Sequence, residues 1–134
     1  MLDCEVIQSR GFRNVAVNGQ AVGFEVAVRL PYYRGIWLSQ LRPGHLSVDG
    51  EEIREADISW IVNGKAYPQK DVTKHGDVHW FLLDTAVLSV KKKGGLAQGL
   101  HDVALDFTWS ASYMPPSMDT GFGTRPQKRR LAIV

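Results

Sequence analysis

Residues 23–30, GFEVAVRL, place Phe24, Val26, Val28 and Leu30 on one side and Glu25, Ala27 and Arg29 on the other. A period of two is the signature of a half-buried strand. The same alternation runs through HDVALDFTWSASY, where Val103, Leu105, Phe107 and Trp109 alternate with Ala104, Asp106, Thr108 and Ser110. Shorter runs read as further strands: CEVIQS, RNVAV, GIWLS, HLSVDG, DISWIVNG, KAYP, VHWFLLD, AVLSVKK and the terminal RRLAIV. No segment carries a long apolar stripe at helical spacing, and QKDVTKHG has the pattern for one turn only.

Turn chemistry separates these runs. VNGQ, VDGE and VNGK begin at Val17, Val48 and Val62. Asn-Gly and Asp-Gly tolerate positive φ at both central positions, as two-residue type I′ hairpins require. Many short strands with turn signals about every 8–12 residues predict an all-β fold. The expected architecture is a single antiparallel β-sandwich domain over residues 1–134, jelly-roll-like. Residues 114–127, MPPSMDTGFGTRPQ, are rich in proline and glycine and predict one long irregular loop near the C-terminus.

Composition narrows the function classes. The chain has 134 residues, 44% of them hydrophobic and 22% charged. A chain of this size can hold a core without staples. Net charge is +2, from 16 basic and 14 acidic residues. That balance gives no footprint for nucleic acid. The clusters Lys91-Lys92-Lys93 and Lys128-Arg129-Arg130 are expected to be strand ends kept in water by charge. Cys4 is the one cysteine, so no intrachain disulfide forms. The opening MLDCEVIQSRGFRN has no basic stretch followed by an apolar run, and no run approaches the roughly 20 residues of a membrane helix. A cytoplasmic protein with no membrane partner is expected.

Candidate chemistry is sparse. His75, Asp77 and His79 in KHGDVHW would share one face if the segment were a strand, and two imidazoles with a carboxylate suit a transition metal. Gly76 argues instead for a turn with solvated side chains. No nucleophile elbow places Ser39, Ser110 or Ser112. His45 and His101 each stand at the start of a strand, where solvation or a hydrogen bond accounts for them. KKKGGLAQG follows a strand with no helix after it, which makes it a tight connection rather than a phosphate loop. Glu51, Glu52, Glu55 and Asp57 follow a turn, as charges at a wet hairpin end do. The residues alone assemble no self-sufficient active site.

One stretch resists that bland account. RLPYYRGIWLS, residues 29–39, crowds Tyr32, Tyr33, Arg34 and Trp37 around a proline and a glycine. In one account Ile36 and Leu38 are core, Trp37 caps an edge and the tyrosines shield a bend. In the other the aromatics form a contact surface, because Tyr, Trp and Arg are the types enriched in interface hot spots. SYMPP supplies Tyr113 and Met114, and Arg13 in GFRN could join either group.

These same residues carry a family resemblance. GFRNV, GFEVAVRLPYYRGIWLS, SVDGEEI, VNGKAY, GGLAQGLHDVAL and SYMP resemble the small β subunit of bacterial C-glycoside deglycosidases over residues 11–115. The ordered set YYRGI.LS, VDG and GGL..G.H.V is the specific part, and residues 117–134 are not matched.

The resemblance implies a β-sandwich that binds no cofactor itself and works with a larger, TIM-barrel α subunit holding a divalent metal, usually manganese. The pair would cleave the carbon–carbon bond between a 3-keto sugar and an aromatic aglycone, the substrate being a 3-keto C-glycoside. Catalytic residues are expected mainly on the α subunit. Tyr32, Tyr33, Arg34 and Trp37 are the leading interface candidates here, with Arg13, Tyr113 and Met114 behind them. Two other classes stay open: a carbohydrate-binding β-sandwich module, and a stand-alone jelly-roll metalloenzyme.

Overall fold

In the computed structural model the described residues are 6–30, 35–81, 84–109, 122–123 and 127–133. Their strands run β1 (Arg13–Val17), β2 (Gln20–Arg29), β3 (Ile36–Trp37), β4 (Leu41–Val48), β5 (Glu51–Glu52) and β6 (Ile58–Val62). They continue as β7 (Lys65–Pro68), β8 (His79–Trp80), β9 (Thr85–Lys91), β10 (Gly99–Trp109), β11 (Phe122–Gly123) and β12 (Gln127–Ile133). Short 3-10 turns at Leu38–Gln40, Glu55–Asp57 and Gln69–Lys74 complete the regular structure among these residues.

The strands form two main layers. One sheet has the order β1-β2-β9-β6-β7. The other has the order β11-β10-β4-β5, with β12 also paired to β10. All the pairings are antiparallel. A two-residue ribbon, β3 with β8, stands apart from both. The fold is the antiparallel β-sandwich that the alternation predicts.

The alternation also predicts which faces meet. Phe24, Val26, Val28 and Leu30 are buried, as are Val103, Leu105, Phe107 and Trp109. At the centre Phe107 of one sheet lies with its ring 5.7 Å from Trp60 of the other and 6.0 Å from Trp80. Trp60 and Trp80 are themselves 5.9 Å apart. Such aromatic pairs add roughly 0.5–1.5 kcal/mol each beyond the area they bury. The Trp60 indole N–H donates to Gln69 Oε1 at 3.0 Å, which satisfies a polar group in the middle of this core.

The three dipeptide turns have the predicted geometry. Asn18, Asp49 and Asn63 take φ of 53°, 53° and 55°, each followed by a glycine at φ 78° to 82°. Chain connections are pinned over long sequence distances. Asn14 Nδ2 donates to the Leu96 carbonyl and its Oδ1 accepts the Leu96 N–H, both at 2.8 Å. That side chain fixes the glycine-rich link after β9, which is a tight strand connection as expected.

Three local expectations change. CEVIQS contributes a single bridge, Ile7 to Val28, among its described residues. VHWFLLD yields only the two residues of β8, because Phe81 has already left the pairing. The long loop is interrupted: Phe122 and Gly123 pair with Trp109 and Thr108, and β12 begins at Gln127.

Candidate functional site

The β3–β8 ribbon displays aromatic side chains to solvent. Alternation sends Ile36 and Trp80 inward, and both are buried. It sends Trp37 and its cross-strand partner His79 outward. Their rings meet edge to face at 4.9 Å. Trp37 is 46% exposed and Phe81, one residue past β8, is 45% exposed. A large exposed aromatic held against a second ring is a candidate contact site, whereas single scattered ones are normal.

The ribbon is held rigid from several sides. The Trp37 N–H donates to Gln40 Oε1 at 2.9 Å. The Leu38 N–H donates to the Val78 carbonyl at 2.8 Å. Asn63, in the β6–β7 turn, reaches across to the His79 carbonyl at 2.9 Å. Gly35 leaves room for the His79 ring, since a Cβ there would overlap its Cε1 and the Trp80 carbonyl. Local rigidity lowers the ordering cost of binding.

The sequence candidates divide accordingly. Trp37 stands in the exposed cluster. Arg13 lies on edge strand β1, where it pairs with Glu25 at 3.0 Å, in a different sheet from Trp37. Tyr32, Tyr33, Arg34, Tyr113 and Met114 lie outside the described residues. His75, Asp77 and His79 do not share a strand face. The His75 ring lies 4.5 Å from Tyr67 after the Gln69–Lys74 turn, Asp77 is in the following turn, and His79 lies against Trp37. Gly76 breaks the extended geometry that the spacing needed. Among the described residues no three His, Cys, Asp or Glu side chains converge in a way that suits a metal ion.

Two features escaped the linear sequence. The first is a bulge in β4. Leu105 faces Leu46 and Phe107 faces Pro43, so Gly44 and His45 together oppose the single residue Asp106. Asp106 Oδ1 accepts the His45 N–H at 2.6 Å. The bulge turns His45 outward, where Nδ1 is 2.5 Å from Glu52 Oε1. Bulges often re-aim side chains in this way beside functional sites. Beside it lies an open surface cavity of about 410 Å³ lined by Pro43, Gly44, His45, Glu52, Ile53, Arg54, Glu55 and Gln69. Pro43-Gly44 reads as a turn in one dimension, which conceals the bulge.

The second is the burial of His101, which is hydrogen-bonded, as one of its two sequence readings has it. Its Nε2 lies 2.7 Å from the Ala97 carbonyl oxygen and its Nδ1 2.6 Å from Asp49 Oδ2. With both ring nitrogens facing acceptors, first the Ala97 carbonyl and then the Asp49 carboxylate raise its pKa. The Asp102 N–H, donated to Asp49 Oδ1 at 2.8 Å, and then His101 lower the pKa of Asp49. Arg130 lowers that of Asp102 from across the β10–β12 pair. This network ties the β4–β5 turn to β10 and is a structural clamp.

Comparison with known proteins adds what the geometry cannot name. The family described as "C-glycoside deglycosidase beta subunit" matches residues 2–113. A C-glycoside deglycosidase beta subunit of Eubacterium cellulosolvens is 44% identical over 99% of this chain and 100% of its own length. One from Arthrobacter globiformis is 30% identical over 66% of this chain and 68% of its own. A protein of a Microbacterium species named 3'-dehydrocarminate deglycosidase beta subunit is 30% identical, covering 69% and 70% of the two chains. No helix among the described residues is long and apolar enough to cross a membrane.

Proposed function

Because the chain belongs to the C-glycoside deglycosidase beta subunit family, we propose that it works as the small subunit of a carbon–carbon lyase. Its partner is a TIM-barrel α subunit, and the complex separates a 3-keto sugar from an aromatic aglycone. The Microbacterium relative supports a keto-sugar substrate, since its name specifies a 3'-dehydro compound.

The chemistry explains why a ketone is required. A C-glycosidic bond resists simple hydrolysis because carbon is a poor leaving group. A carbonyl at C3 acidifies the proton at C2. A base removes that proton, the electron pair forms the C1–C2 double bond, and the bond from C1 to the aglycone breaks. An acid returns a proton to the departing aromatic carbon. A divalent ion held by the α subunit, manganese in this reading, supplies Lewis-acid polarisation of the ketone.

The β subunit docks beside the barrel mouth, orders its loops and excludes water. The exposed Trp37, buttressed by His79 and the ribbon's hydrogen bonds, is the observation that supports this role. Tyr32, Tyr33 and Arg34, which precede it in the sequence, are the other leading interface candidates. Tyr113, Met114 and Arg13 are secondary candidates.

Reconstitution tests the reading. The purified chain, the TIM-barrel α subunit and their mixture are each supplied with a 3-keto C-glycoside and a manganese salt. Aglycone release by the mixture alone is the expected result. Full-rate release by this chain without the barrel contradicts it.

A further inference from the structure

The bulge cavity offers a ligand site on this chain's own surface. Its volume of about 410 Å³ falls within the roughly 300–1,000 Å³ typical of small-molecule sites. Gln69 lines it although its side chain is buried. The Trp60 indole N–H needs an acceptor and takes Gln69 Oε1 at 3.0 Å. That bond fixes the amide orientation, which leaves the NH2 group as the free end. The nitrogen has no protein partner among the described residues, and it is not among the fully enclosed unsatisfied atoms. A buried amide at the cavity wall therefore keeps two N–H donors with no acceptor among the described residues.

The other walls define the ligand class. Glu52 and Glu55 offer carboxylate acceptors, while Arg54 adds a cationic donor that Asp57 shares at 3.1 Å. His45, re-aimed by the bulge, is held by Glu52 at 2.5 Å. Pro43 and Ile53 contribute apolar surface. Two carboxylates face one guanidinium that Asp57 also engages, and this excess of negative charge disfavours an anion. Interspersed donors and acceptors beside an apolar patch suit a neutral ring with several hydroxyl groups, because each hydroxyl donates and accepts. We propose that this cavity binds one sugar ring or a cyclic polyol of similar size. The site is built wholly from this chain, so it needs neither the α subunit nor the deglycosidase reaction.

Titration of the full-length chain with D-glucose, followed by proton–nitrogen correlation spectra, tests this. Saturable shifts are expected at the Gly44, His45 and Ile53 amides and at the Gln69 side-chain NH2. Gln69→Leu and Glu55→Ala should each weaken binding about tenfold, the value of one good hydrogen bond. Glu55 is exposed, so its variant decides the matter if Gln69→Leu fails to fold. Absence of saturable shifts at these positions, or affinity unchanged in Glu55→Ala and in any folded Gln69→Leu, overturns the proposal. Loss of glucose binding with intact reconstituted activity would leave the docking role standing.

Discussion

Asp106 fills the space that a side chain at Gly44 would need. A Cβ on Gly44 would overlap both Asp106 Oδ1 and the Asp106 carbonyl oxygen. The same carboxylate holds the His45 N–H at 2.6 Å, so the bulge and the glycine are one device. Gly44→Ala should destabilise the protein by about 1–3 kcal/mol, the usual cost of overpacking. Thermal melting would register a lowered Tm. Asp106→Ala in the Gly44→Ala background should recover only part of the loss, because the backbone oxygen stays in place.

Phe107→Ala should cost about 3–5 kcal/mol. Its ring touches Trp60, Trp80 and Trp109 at centroid distances of 5.7–6.0 Å. That is a large share of the roughly 5–15 kcal/mol that holds a domain folded. Urea unfolding followed by tryptophan fluorescence measures it.

The His101 clamp makes stability depend on pH in a defined direction. The pKa of His101 is raised from the ordinary 6.5 by the Ala97 carbonyl and then Asp49. Its contribution is therefore complete below 6.5 and is lost as pH rises through the raised value. The pKa of Asp49 is lowered from 3.8 by the Asp102 N–H and then His101. Its contribution is present above 3.8 and is lost as pH falls through the lowered value. Unfolding free energy should plateau between these limits and decline on the alkaline side. His101→Gln should lower the plateau and flatten that decline.

Much of this was legible along the chain. The period of two in residues 23–30 and 101–109 marks the core faces, and Asn-Gly and Asp-Gly mark three hairpins with positive φ. These signals are local. The pairing of β10 with β4 and β12 is not local, so the burial of His101 between Asp49 and Ala97 has no signature in its neighbours. The bulge was hidden because Pro43 and Gly44 punctuate turns more often than strands. The KHGDVHW interval gives a shared face only in regular structure, and the turn that Gly76 suggested is what separates His75, Asp77 and His79. Trp37 was visible as an odd aromatic beside a break, whereas the edge-to-face contact of His79 with it depends on the β3–β8 pairing.

The most direct test is the affinity of this chain for the α subunit, measured by calorimetry for the wild type and for Trp37→Ala, with Tyr33→Ala and Arg34→Ala alongside. A buried hot spot of this type costs about 2 kcal/mol or more, or roughly thirtyfold in Kd. Docking through the aromatic end predicts at least that loss for Trp37→Ala, with an unchanged melting temperature. Wild-type affinity in all three variants would contradict it.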